Sequence, residues 1–137
     1  MAVINFQLMQ KPVEQRIIDA ACIYWDLDPD YFVYKGDHEE RKRKGRTKNS
    51  SSAFAYRKNI VYYLIKTKTG YSYPELAAMF NYVGHQPVIR GVDTVSTLKG
   101  IYKQIKDDIS EIEKIADNLA ASFDVVSVNI SLKNLQL

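Results

Sequence analysis

"SYPELAAMFNYVGHQPVIRGVDTVSTL", residues 72–98, is the stretch from which the fold is read. Ser72 stands three residues before Glu75. The serine can therefore accept from the backbone N–H at the third helical position while the glutamate reaches back to the cap, and Pro74 fits the first turn. A short helix over about 73–80 follows, with Leu76, Met79 and Phe80 inward. Gly84 marks a turn, and Pro87 opens a longer helix, to about 106, in which Val88, Val92, Val95, Leu98, Ile101, Tyr102 and Ile105 recur every three or four residues. A short helix, a glycine-containing turn and a longer helix make a helix-turn-helix pattern, whose second member would carry base contacts.

The flanks of this pair read as further helices. Upstream, Pro12 precedes Val13, Ile17, Ala20, Ala21 and Tyr24, a helical stripe over about 12–26. Asp28-Pro29-Asp30 breaks it and caps a short turn carrying Tyr31, Phe32 and Val33. Ile60, Val61, Leu64 and Ile65 place another helix over about 53–68, closed near Gly70. Downstream, Ile109, Ile112, Ile115, Ala116 and Leu119 give a last helix over about 109–122. Beyond it Val126, Val128, Ile130 and Leu132 alternate with Ser127, Asn129 and Ser131, the period of a half-buried strand. Such a strand could pair with the N-terminal VINFQL, with its own copy in a homo-oligomer, or with a protein partner by strand addition; a frayed tail is the plainer alternative. The fold class is thus all-α: a compact multi-helix domain with a helix-turn-helix over about 73–106, plus a strand-like C-terminal tail. The organisation is an N-terminal extension (1–11), the helical domain (12–123) and the tail (124–137).

Composition bounds the class. A single domain of 137 residues buries roughly 68% of its unfolded surface, enough for a core without staples. The lone cysteine, Cys22, lies in the apolar run AACIYW and reads as a small buried hydrophobe, with neither disulfide nor metal spacing available to it. No apolar run reaches the roughly 18 residues of a membrane span, and the N-terminus lacks a signal-peptide pattern; a cytoplasmic protein is expected. The formal charge of +3 is modest, but it is sorted: residues 41–58 are strongly basic while 107–124 lean acidic, which points to one basic face.

Residues 41–48, RKRKGRTK, carry six of those cations: Arg41, Lys42, Arg43, Lys44, Arg46 and Lys48. A solvated loop is the ordinary reading of such a run. Two features argue for more. The run, in a loop of about 35–52, lies between helices of one domain, and the helix after it begins with Tyr56, Arg57 and Lys58, which extend the positive surface. Such a loop can follow a phosphate backbone or place an arginine in a minor groove by displacing counterions. Five or six phosphate contacts would give a slope of log K against log salt of about −5.

From about Ile17 to Ile105 the order of features resembles the C-terminal DNA-binding domain of the bacterial replication initiator DnaA, a Trp-repressor-like fold. SYPELAAMF, residues 72–80, is similar to that family's S-L-P-E-I-G-x-x-F, and the register runs on without a gap into the signature F-G-G-R-D-H-T-T-V, which here reads FNYVGHQPV. The resemblance covers roughly two thirds of the chain. It implies double-stranded DNA as the partner and places His85 and Gln86 among the base-reading positions of the family. It also shows departures. Where the family has arginine and the Asp-His-Thr reader, this chain has Val83, Gly84, His85 and Gln86, with Pro87 after them, so the initiator's usual box is not the expected target. Gln86 can read an adenine bidentately and Arg90 a guanine. Gln86, Arg90 and Thr94 stand four residues apart and so share a helix face. His85 can equally cap the helix, Arg90 and Lys99 can be solvated helix-face residues, and most tyrosines are better read as core edges with a wet hydroxyl.

No catalytic chemistry is legible. Two histidines, one cysteine, no Walker-type glycine loop and no metal-ligand spacing exclude the common enzyme and cofactor motifs. Asp37-His38-Glu39-Glu40 is read as a solvated acidic patch, since four consecutive residues seldom converge on one ion. Neither a cofactor nor a small-molecule substrate is expected. The expectation is a small DNA-binding replication or transcription accessory factor of a bacterial cell, with phage or mobile-element encoding suggested by analogy. The alternative is a protein-interaction or virion-structural module that keeps the scaffold without reading DNA.

Overall fold

The structure, a computed structural model, describes residues 11–34, 36 and 51–135, with side chains described for all of these except 51 and 121–135. It contains five helices: α1 (Val13–Trp25), α2 (Ser51–Lys68), α3 (Tyr73–Met79), α4 (Gln86–Leu98) and α5 (Lys103–Leu135). There is no strand among the described residues.

α2 is the centre of the fold. Ile60, Val61, Tyr62, Leu64 and Ile65 are all essentially inaccessible to solvent, and a helix apolar around most of its circumference must be covered on several sides. α1 covers one side with Ile17, Ala20 and Ala21, α4 another with Val88, Val92 and Val95, and α5 contributes Ile112. α3 closes the end with Leu76 and Ala77. Full burial of each larger aliphatic side chain contributes about 1.5–3 kcal/mol. Cys22 is buried, as its surroundings predict; burial first, and nearby Asp19 next, push its thiol up to about 11. Gly91 lets α4 approach α2 closely, because a methyl group there would press on Asn59, whose Cγ would lie 3.0 Å away.

α1 and α5 run antiparallel, with Tyr24 near the end of α1 meeting the start of α5, and Val13 at the other end sharing a groove with Ala116 and Asp117. At their junction lies a buried carboxylate, Asp108, which is 3% exposed. It accepts from the hydroxyls of Tyr24 (2.7 Å) and Tyr56 (2.5 Å) and from the Gln104 carboxamide (2.8 Å). The hydrogen bond to Asp108 raises the Tyr24 hydroxyl to about 12; desolvation and the same carboxylate drive Tyr56 higher still.

The capping box at Ser72 forms as the sequence predicts. The serine hydroxyl accepts from Glu75 N–H at 3.3 Å, and the glutamate accepts from the Ser72 hydroxyl at 2.8 Å and from Ser72 N–H at 3.2 Å, which in that order hold its carboxyl below the usual range. The short turn expected at Asp28–Val33 also forms, closed by Tyr31 N–H to Asp28 O and Val33 N–H to Asp30 O. Several expectations are corrected. The turn after α3 is made by Asn81, in the left-handed region at φ 64°, and not by Gly84, whose φ is not positive.

The helix expected over 86–106 ends at Leu98, and the last helix begins at Lys103 rather than near 109. Ile101 and Tyr102 both donate to Leu98 O, a tight turn containing Gly100. This leaves the two side chains 68% and 55% exposed instead of continuing the buried stripe. The tail expected as a strand over 126–132 lies within α5. Its alternation coexists with a second spacing: Ile105, Ile109, Ile112, Ala116, Leu119, Phe123, Val126 and Ile130 stand alternately four and three apart, which is a helical repeat. Pairing by strand addition at 126–132 has no basis in this helix.

Candidate nucleic-acid interface

α4 buries Val88, Gly91, Val92 and Val95 and leaves the opposite face open. Gln86, Arg90 and Thr94 are exposed and fall one turn apart on that open side. His85, also exposed, takes the N-cap position, but its side chain makes no cap hydrogen bond. The four candidate reading residues are thus brought together at and along one end of α4. Arg90 takes no partner among the described residues.

Both flanks of the basic run meet the turn in front of α4. On the upstream side Tyr34 N–H donates to Phe80 O at 3.0 Å, and the Tyr34 and Tyr82 rings lie 5.0 Å apart. On the downstream side Lys58 of α2 donates to the Tyr82 hydroxyl at 3.2 Å and sits over the Tyr82 and Phe54 rings at 4.5 and 4.8 Å. Arg41, Lys42, Arg43, Lys44, Arg46 and Lys48 lie outside the described residues, as do Asp37–Glu40 and the N-terminal VINFQL.

Arg57 and Lys58, both expected as phosphate contacts, are half-buried against aromatics of the domain. Arg57 donates to the Tyr31 hydroxyl at 3.1 Å and lies 5.8 Å from the centres of both the Trp25 and Tyr31 rings. An aromatic face holds a cation in place without a carboxylate, so these contacts fix both side chains against the domain. Sequence reading missed these pairings. The Lys58–Tyr82 contact spans 24 residues, and nothing in the spacing of either residue signals the other. The same holds for Lys99, which donates to the Tyr63 hydroxyl and lies 5.0 Å from that ring.

Beside the open face of α4, Tyr56, Asn59, Ile60, Thr94, Val95, Leu98, Tyr102 and Ile105 line an apolar groove of about 540 Å³. Among the described residues no helix is long and apolar enough to cross a membrane. Comparison of the chain with protein-family models, with curated proteins and with solved structures gives no match in any of the three.

Proposed function

We propose that this chain binds duplex DNA, with α3, the turn at 80–85 and α4 acting as a helix-turn-helix and the run Arg41–Lys48 as its phosphate anchor. The observation that carries this reading is the pinning of both flanks of the run, through Tyr34 and Lys58, to the turn that precedes exposed His85, Gln86 and Arg90. A phosphate anchor joined through such flanks to a face able to read base edges is the division of labour expected of a DNA-binding domain. The resemblance of residues 72–88 to the replication initiator's domain favours the same partner, and the replacement of the family's arginine, aspartate and threonine by Val83, Gly84 and Gln86, with His85 kept, favours a different target site. A replication or transcription accessory role fits that combination.

Selection of bound duplexes from a random pool at about 0.15 M salt, where weak nonspecific attraction is screened, followed by sequencing, tests the proposal. An enriched motif supports a reader. Retention without enrichment leaves a nonspecific anchor, and no retention refutes DNA binding. One observation favours the rival reading, a protein-interaction module: the apolar groove beside α4, next to exposed Ile101 and Tyr102, resembles the concave apolar patches that bind partners.

A further inference from the structure

The far end of α4 carries a second concentration of positive charge. The segment Lys99–Lys106 contains three lysines and no acid, with Asp107 and the buried Asp108 following it. Lys99, Lys103 and Lys106 are exposed. Of the other described lysines, three pair with carboxylates, Lys11 with Asp19 (2.9 Å), Lys68 with Glu113 (3.4 Å) and Lys114 with Glu111 (3.3 Å), while Lys58 and Lys66 are held by tyrosines. Lys103 and Lys106 have no such partner among the described residues, and Lys99 is positioned by the neutral Tyr63 ring and hydroxyl. Lys99, at the C-cap of α4, stands where a helix end favours a cation; helix stability does not explain Lys103 and Lys106, since the first turn of a helix favours carboxylates over cations and that of α5 holds no acid.

Resting on the DNA reading above, we propose that Lys99, Lys103 and Lys106 form a second phosphate-binding patch that grips the duplex at the C-terminal end of α4. The argument is one of length. α4 has 13 residues and so spans about 20 Å, whereas the major groove of B-DNA is about 12 Å wide. A helix of that length laid across the groove brings both of its ends to phosphate-bearing walls. The basic run serves the N-terminal end, and the three lysines serve the other. Asp93, exposed on α4, and Asp107 are the nearest acids in sequence; neither pairs with these lysines.

The test is fluorescence anisotropy of a labelled 20-base-pair duplex of mixed sequence, titrated between 50 and 200 mM salt with the parent chain, K103Q/K106Q, K103R/K106R and K68Q/K114Q. Lys99 is left in place because it also contacts Tyr63. Two lost phosphate contacts flatten the slope of log K against log salt by about 1.8 and weaken binding about tenfold or more at 50 mM. The arginine pair keeps the parent's slope, and K68Q/K114Q, on α2 and α5 away from the patch, binds like the parent. If the parent binds and K103Q/K106Q matches it in slope and affinity, the patch is refuted while the DNA reading stands. An equal loss in K68Q/K114Q also refutes it, since any surface lysine would then serve. A parent that binds no duplex at any of these salt concentrations overturns the DNA reading, and the patch with it.

Discussion

Asp108 is the position where a single substitution should cost most. Its carboxylate is buried among Tyr24 of α1, Tyr56 of α2 and Gln104 of α5, and these donors fill the site without a cation. Hydrogen bonds to a charged acceptor each contribute about 1.5–3 kcal/mol, and deleting the acceptor leaves three donors at the meeting point of three helices. Such bonds are not additive within a network, so Asp108→Ala should cost about 3–5 kcal/mol. Asp108→Asn keeps the shape and one acceptor oxygen and should cost roughly 1–2 kcal/mol. Against a total stability of about 7–20 kcal/mol for a chain of this size, the alanine variant loses a large fraction and the asparagine variant a small one. Urea unfolding at pH 7, followed by far-UV circular dichroism, separates them by midpoint at constant m. An alanine variant within 1 kcal/mol of the parent would refute the claim that this network joins α5 to the core, because a truly buried three-donor site cannot lose its acceptor so cheaply.

Four other outcomes follow from the geometry. Stability should decline at alkaline pH: Tyr24 titrates near 10 unfolded and about 12 folded, so its contribution is full below pH 10 and lost as pH rises toward 12, and Tyr56→Phe with Tyr24→Phe should flatten a stability-against-pH curve there. Gly91→Ala gains about 1 kcal/mol of helix propensity but meets Asn59, so in an Asn59→Ala background it should be more favourable than in the parent by about 1 kcal/mol or more; equal effects in the two thermal melts would rule out the close approach. Replacing Arg41, Lys42, Arg43 and Lys44 with Ala should weaken all duplexes about equally and flatten the salt slope by about 3–4, and an unchanged titration would remove the run from the interface. Gln86→Ala with Arg90→Ala should instead relax sequence preference by about 1–3 kcal/mol per lost base contact, read by repeating the pool selection.

The sequence carried what periodicity and capping can carry. Ser72, Glu75 and Pro74 placed the start of α3 within a residue, and the stripe Ile60, Val61, Leu64 and Ile65 identified the central helix. It did not carry the interruption at Lys99–Tyr102. The apolar spacing continues through Ile101 and Tyr102, so a period count runs on where the backbone turns, and only tertiary packing of Ile105 and Ile112 on the core shows that a new helix has begun. The tail failed for the reason that two periods overlap in it: Val126, Val128, Ile130 and Leu132 alternate, while Phe123, Val126 and Ile130 extend the stripe of α5. At the candidate site the exposed face of Gln86, Arg90 and Thr94 was legible from spacing alone. The fixing of Arg57 and Lys58 by Tyr31, Trp25 and Tyr82 was not, because cation–aromatic contacts between distant segments leave no local pattern.

Those contacts bear on where the charge of the basic run can act. Gly36 and Ser51 are the described residues that bracket it; Tyr34, two residues before Gly36, and Lys58, seven residues after Ser51 on α2, touch the turn before α4. A residue midway between the two, such as Arg43 or Lys44, is seven peptide units from the nearer end, so even a fully extended chain carries it no more than about 25 Å from that end. One turn of duplex is about 34 Å. Measured from those two ends, the reach of its cations is shorter than one helical turn of duplex. Weakening one anchor should therefore reduce affinity before it abolishes it. Lys58→Gln leaves the run's own charges untouched and removes the contact with Tyr82 while Phe54, Ile60 and Val61 keep α2 in the core, and a loss of affinity larger than one phosphate contact explains would mean that this contact itself contributes.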